Sequence, residues 1–139
     1  MAELKVGAQL IIWGRRAITD LPSVLDDVAS LGYAGIEINA WMAGWMSDFK
    51  SLLDSRGLSL AGLHLGMFDM KIVNTAMDFL GKMDGRYLIF SGACGKENTD
   101  EDYRRGSRFL DEVGRRAKEK GVKVCYHNHW QEIVNNARG

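Results

Sequence analysis

Apolar residues along this chain alternate between two periods. Short, nearly continuous apolar runs are separated by longer stretches in which apolar residues recur every three or four positions. Residues 5–12 (KVGAQLII), 35–39 (GIEIN), 58–65 (LSLAGLHL) and 87–91 (YLIFS) read as strands, and the segment 122–133 (VKVCYHNHWQEI) opens as a fifth. Between the first two, Leu21, Val24, Leu25, Val28 and Leu31 fall on one helical face, with Asp20 placed to cap it, Pro22 in its first turn and Gly32 to stop it. Further helices are expected over 47–56, stopped by Gly57; over 70–83, on Ile72, Val73, Ala76, Met77 and Leu80; and over 100–120, on Phe109, Leu110, Val113 and Ala117, stopped by Gly121.

Helices alternating with apolar strands mean βαβ units, a parallel sheet and, through right-handed crossovers, strand C-termini gathered on one face. Strand starts near Val6, Gly35, Leu58, Tyr87 and Val122 recur at the roughly 30-residue interval of a βαβ unit. That rhythm suits both a (β/α)8 barrel and a doubly wound open sheet, and periodicity does not separate them. The turn after the first strand, Ile12-Trp-Gly-Arg-Arg16, is neither GxGxxG nor GxxxxGK, which speaks against a nucleotide cofactor.

Composition narrows the classes. With 139 residues, 46% of them hydrophobic, the chain suffices for one domain (1–139) with a real core. Lys+Arg and Asp+Glu both total 18, and no basic arm or aromatic-basic stripe occurs, so nucleic acid is not an expected partner. No apolar run approaches the roughly 20 residues of a membrane span. The start lacks a signal-peptide pattern, and Cys94 and Cys125 form no CxxC pair. A cytoplasmic protein with two reduced, largely buried thiols is expected.

The candidate chemistry gathers at strand ends. His127 and His129 are two apart, so on a strand they share a face, and with Glu132 they form a donor set suited to a borderline divalent cation. The same residues also suit a hydrogen-bonded polar cap on the sheet. Glu37, inside an apolar strand, is either a catalytic or substrate-side carboxylate or a buried structural acid held by donors. Trp13 follows the first strand and is a candidate aromatic wall of a small-molecule pocket. Trp41 and Trp45, with Met42 and Met46, are spaced as a packed helical face. Lys96, Arg104, Arg105 and Arg108 read as a solvated, charge-paired face beside Asp100-Glu101-Asp102.

Val6-Gly-Ala-Gln, Leu31-Gly-Tyr-Ala-Gly-Ile-Glu-Ile38, Leu60-Ala-Gly-Leu-His-Leu65 and Cys125-Tyr-His-Asn-His129 resemble, in order and spacing, the xylose isomerase-like TIM-barrel superfamily, and within it the sugar phosphate isomerase/epimerase branch. The pairing of LGYAGIEI on the second strand with YHNH on the fifth is the specific part. The resemblance covers the whole chain but only the first half of the family barrel, leaving strands six to eight without a counterpart. It implies a sugar or sugar phosphate as small-molecule partner, a divalent metal (Mn, Mg, Co or Zn), and metal-assisted proton transfer. His64 is then a substrate-pocket histidine able to bond sugar hydroxyls or move a proton, and Asn128 a substrate-binding residue. His127 stands where the family carries a glutamate ligand.

The expected architecture is therefore α/β: parallel (βα) repeats forming a half TIM barrel of about five strands. Its unpaired first and last strands call for completion by a homodimer or higher oligomer. Three readings follow: an isomerase or epimerase assembled from two chains, a non-catalytic half-barrel scaffold that folds by dimerising, or a module that binds a sugar without turnover.

Overall fold

The computed structural model describes residues 4–43, 48–66, 68–92 and 99–130. Five strands, β1 (Gly7–Gln9), β2 (Gly35–Asn39), β3 (Ser59–Leu65), β4 (Tyr87–Ser91) and β5 (Lys123–His127), form one sheet in the order β1-β2-β3-β4-β5. Every neighbouring pair is parallel. A doubly wound sheet reverses its strand order partway, whereas this order never reverses, which is the arrangement of a barrel. Right-handed crossovers that all step the same way keep the helices on one side.

The sheet accordingly has two unlike faces. Ala8, Ile36, Ile38, Leu63, Leu65, Leu88 and Phe90 are buried in one core with the helices. The alternate positions Gln9, Glu37, His64, Ile89 and Ser91 are only half-buried, on the face that a closed barrel would turn inward.

The helices are α1 (Arg16–Thr19), α2 (Leu21–Ser30), α3 (Ala40–Ala43), α4 (Phe49–Asp54), α5 (Met70–Lys82) and α6 (Asp100–Glu119). As expected, Asp20 caps α2, its side chain accepting from the Ser23 N–H at 3.4 Å, and Leu21, Val24, Leu25 and Val28 are buried. Leu31 departs from expectation. The helix ends at Ser30, Gly32 turns the chain at φ 82, and Leu31 swings out to 68% exposure. α6 opens on a capping box: the Thr99 side chain accepts from the Asp102 N–H at 3.2 Å, and the Asp102 carboxylate accepts from the Thr99 N–H at 3.2 Å. Arg108 pairs with Glu101 on a solvated face, as expected, but the Asp102 that Arg105 pairs with is buried at 8% exposure, held there by the cap.

Two further boundaries differ from the sequence reading. β1 stops at Gln9, because the chain turns into a 3-10 turn at Leu10–Trp13 that buries Leu10 and leaves Ile11 and Ile12 exposed; Gly14, at φ 55, makes the reversal. β5 stops at His127, where its neighbour β4 also ends, at Ser91. The single turn α3 covers Trp41 and Met42, the first half of the helical face that their spacing with Trp45 and Met46 suggests. It buries Met42 and leaves Trp41 half exposed, while Trp45 and Met46 lie outside the described residues. Cys125 is a free thiol and partly exposed, not buried; Cys94 lies outside the described residues.

One irregularity positions the site. Ile36 pairs with Leu60, but the next residue, Glu37, pairs with Gly62, so Ala61 is an extra residue in β3. Such a β-bulge resets the inward-outward alternation. Leu60 and Leu63 both face the helices although three apart, and His64 is carried onto the open face.

Candidate functional site

Side chains from four strands meet on the open face near the strand C-termini. Gln9 and Glu37 are register partners on β1 and β2, and the Gln9 amide donates to Glu37 Oε1 at 2.7 Å. His64 lies diagonally above them, its Nδ1 3.5 Å from Gln9 Nε2 and 3.6 Å from Glu37 Oε1. Its Nε2 is 2.9 Å from Ser91 Oγ at the end of β4. The row Gln9–Glu37–His64–Ser91 thus crosses four strands. Gly62 makes room for it: a Cβ there would stand 2.5 Å from Ile89 Cδ1 and 3.5 Å from Glu37 Cγ.

Both ring nitrogens of His64 therefore have partners, and two tautomers satisfy them. With the proton on Nε2 the ring donates to Ser91 and accepts from Gln9. With the proton on Nδ1 it faces the Glu37 carboxylate and accepts from Ser91. Burial lowers the His64 pKa from its ordinary value; the Glu37 charge opposes that, and His127 and His129 reinforce it. A neutral imidazole between a carboxylate and a hydroxyl can take or give a proton near neutral pH.

Continuing across the sheet, the His64 and His127 rings are 5.4 Å apart between centroids, and His127 and His129 are 5.0 Å apart. Asn128 is exposed between them, and Glu132 lies outside the described residues. Among the described residues no three His, Cys, Asp or Glu side chains converge well enough to hold a metal ion. Catalytic metal sites use about three protein ligands, so the described donors do not by themselves fit a divalent metal.

The structure thus brings Glu37, His64 and His127 together and adds Ser91 to them. Trp13 is partly buried against the core, on the 3-10 turn beyond the row. Gln9 and Ser91 are the members to which the sequence reading assigns no role. The signal of each is a lone polar side chain at the end of an apolar strand, Gln9 inside the Val6-Gly-Ala-Gln stretch and Ser91 after Tyr87-Leu-Ile-Phe. Lys96 lies outside the described residues.

Known structures share this architecture. A sugar phosphate isomerase/epimerase from Parabacteroides distasonis superposes with a TM-score of 0.75 at 20% identity, covering 93% of this chain and 52% of its own. D-psicose 3-epimerase with D-tagatose, from Clostridium cellulolyticum H10, gives 0.67 at 20% identity, over 88% of this chain and 52% of the epimerase. An IolI protein with a bound zinc atom gives 0.66 at 16% identity, over 90% and 51%. The chain spans about half the length of these structures. None of the curated proteins matches it. A sequence profile of the xylose isomerase-like TIM barrel matches residues 25–138, most of the chain. With that match and a sheet whose strand order never reverses, the chain belongs to the xylose isomerase-like TIM barrel family.

Proposed function

We propose that this chain supplies half of a sugar isomerase- or epimerase-type site, in which Glu37 and His64 handle a proton on a hydroxyl-bearing carbon. The observation that carries the reading is the Gln9–Glu37–His64–Ser91 row, an acid, a histidine and two neutral hydrogen-bonding groups joined on the open face at the strand ends. One of its two tautomers leaves His64 Nε2 able to accept a proton, with Glu37 beside Nδ1 to stabilise the imidazolium that results. Gln9 holds the carboxylate in place, and Asn128 and Trp13 are proposed to contact the sugar. The other wall comes from a second copy of the chain, across the exposed strand edges. His127, His129 and Glu132 remain the proposed metal donors; a metal held there requires a ligand beyond the described set, so no step is assigned to it.

Exchange of a carbon-bound sugar proton for solvent deuterium tests this reading, with D-fructose as probe and NMR as readout, with and without added Mn²⁺. Exchange that His64→Ala and Glu37→Gln each reduce about 100-fold or more supports it. Absence of exchange in folded, oligomeric protein would sink the catalytic reading. The shortfall of metal donors among the described residues favours a second reading, a non-catalytic half-barrel scaffold, which predicts that result together with no stoichiometric Mn, Co or Zn on the purified chain.

A further inference from the structure

We infer that Ser91 is a nucleophile, and that Glu37, His64 and Ser91 act as an acid–histidine–serine set that transfers a small acyl group from a carboxylic ester to water. The three stand on consecutive strands, β2, β3 and β4, and on the same open face. His64 Nε2 is 2.9 Å from Ser91 Oγ, the contact through which a base takes a hydroxyl proton. Its other nitrogen, Nδ1, is 3.6 Å from Glu37 Oε1. Orienting contacts of this kind are often loose until a substrate is bound. The Gln9 amide donates to that same oxygen at 2.7 Å and so fixes the carboxylate beside the imidazole.

A serine that only capped His64 needs neither an acid behind the ring nor a place where the chain turns. Ser91 has both. It is the half-buried last residue of β4, and Gly92, at φ 78, turns the chain directly after it. Ile89, two residues earlier and in register with His64, lies on the same face and offers apolar contact to a small acyl group. His127, the register partner of Ser91, has its ring 5.4 Å from that of His64, which brings a ring N–H within reach of an oxyanion formed there.

In the first half-reaction Ser91 Oγ bonds to the ester carbonyl carbon while its proton passes to His64 Nε2. The bond to the leaving alcohol then breaks, and His64 returns the proton to that oxygen, leaving acyl-Ser91. Water next attacks the acyl carbon, giving one proton to His64. The Ser91 ester bond breaks, Oγ recovers the proton and a carboxylic acid departs. Glu37 stabilises the imidazolium in both halves. This activity shares His64 and Glu37 with the sugar reading but does not depend on it.

The test uses the full chain in EDTA, with p-nitrophenyl acetate as the ester and phenylmethylsulfonyl fluoride as a trap. A burst of about one equivalent of p-nitrophenol per chain is expected, with the acetyl group mapped to Ser91 by peptide mass spectrometry. The trap should label the same residue and abolish the burst, a measurement that needs no variant to fold. His64→Ala should slow acylation about 100-fold or more, and Ser91→Cys should carry the acetyl group on sulfur. Acetylation of lysine or histidine side chains without Ser91, no acylation at all, or Ser91 acylation that His64→Ala leaves unchanged overturns the inference. Deuterium exchange into D-fructose that persists in that event leaves the sugar reading standing; loss of both defeats both.

Discussion

His64 stands between two opposed influences, and both bear on its titration. Burial disfavours the imidazolium and lowers its pKa below the ordinary 6.5, while Glu37 favours it and raises the pKa part of the way back. Between the folded pKa and 6.5 the unfolded chain binds the proton more readily than the folded one. His64 therefore makes stability rise with pH through that window: its contribution is complete above 6.5 and is lost on acidification. Histidine NMR titration should place its midpoint below 6.5, and lower still in Glu37→Gln; a rise on that substitution would mean that Glu37 does not stabilise the imidazolium. Glu37 itself is open to two readings in the sequence, because a carboxylate within an apolar strand is ambiguous until its face is known. Gln9 escapes notice there, since one polar residue in a short apolar run carries no periodic signal.

The elements read most clearly where local chemistry acts alone. Asp20 with Pro22 announces α2, since a cap is decided within four residues, whereas the Thr99–Asp102 cap of α6 goes unread behind the apolar stripe that announces that helix. Thr99→Ala should cost about 1 kcal/mol by chemical denaturation, and an unchanged midpoint would mean that the capping box contributes nothing. Strand ends are less legible, because tertiary structure decides them: β1 stops where the chain folds into the 3-10 turn, although β2 runs on to Asn39, and β5 stops where β4 stops. Curvature depends on small residues. A Cβ on Gly35 would lie 2.5 Å from the Ser59 carbonyl oxygen, and one on Gly7 would lie 3.0 Å from the Ala61 Cβ. Because backbone cannot yield as a side-chain tip does, Gly35→Ala should destabilise by about 1–3 kcal/mol. A neutral result would show that β2 and β3 can separate without loss.

At the scale of the whole molecule, the sheet has an unfinished perimeter. Leu4, Val6, Ile11 and Ile12 are exposed around β1, and Tyr126 and Trp130 around β5, so large apolar side chains cluster at both edges of the sheet. Formal net charge is zero, which offers no repulsion against self-association. Light scattering after size exclusion should report a dimer or larger species at micromolar concentration, and Ile12→Lys should shift it toward monomer. A clean monomer before substitution would defeat the two-copy closure. The bulge at Ala61 has a consequence for kinship as well as for chemistry. At about 20% identity, the correspondence between this chain and its structural relatives hangs on where single-residue gaps are placed. A gap displaced by one position in β3 exchanges His64 for Leu63 or Leu65 and turns a pocket residue into a core one, with no visible change in composition. Functional residues are therefore to be carried across this family by the side of the sheet they occupy, and only afterwards by their place in an aligned string.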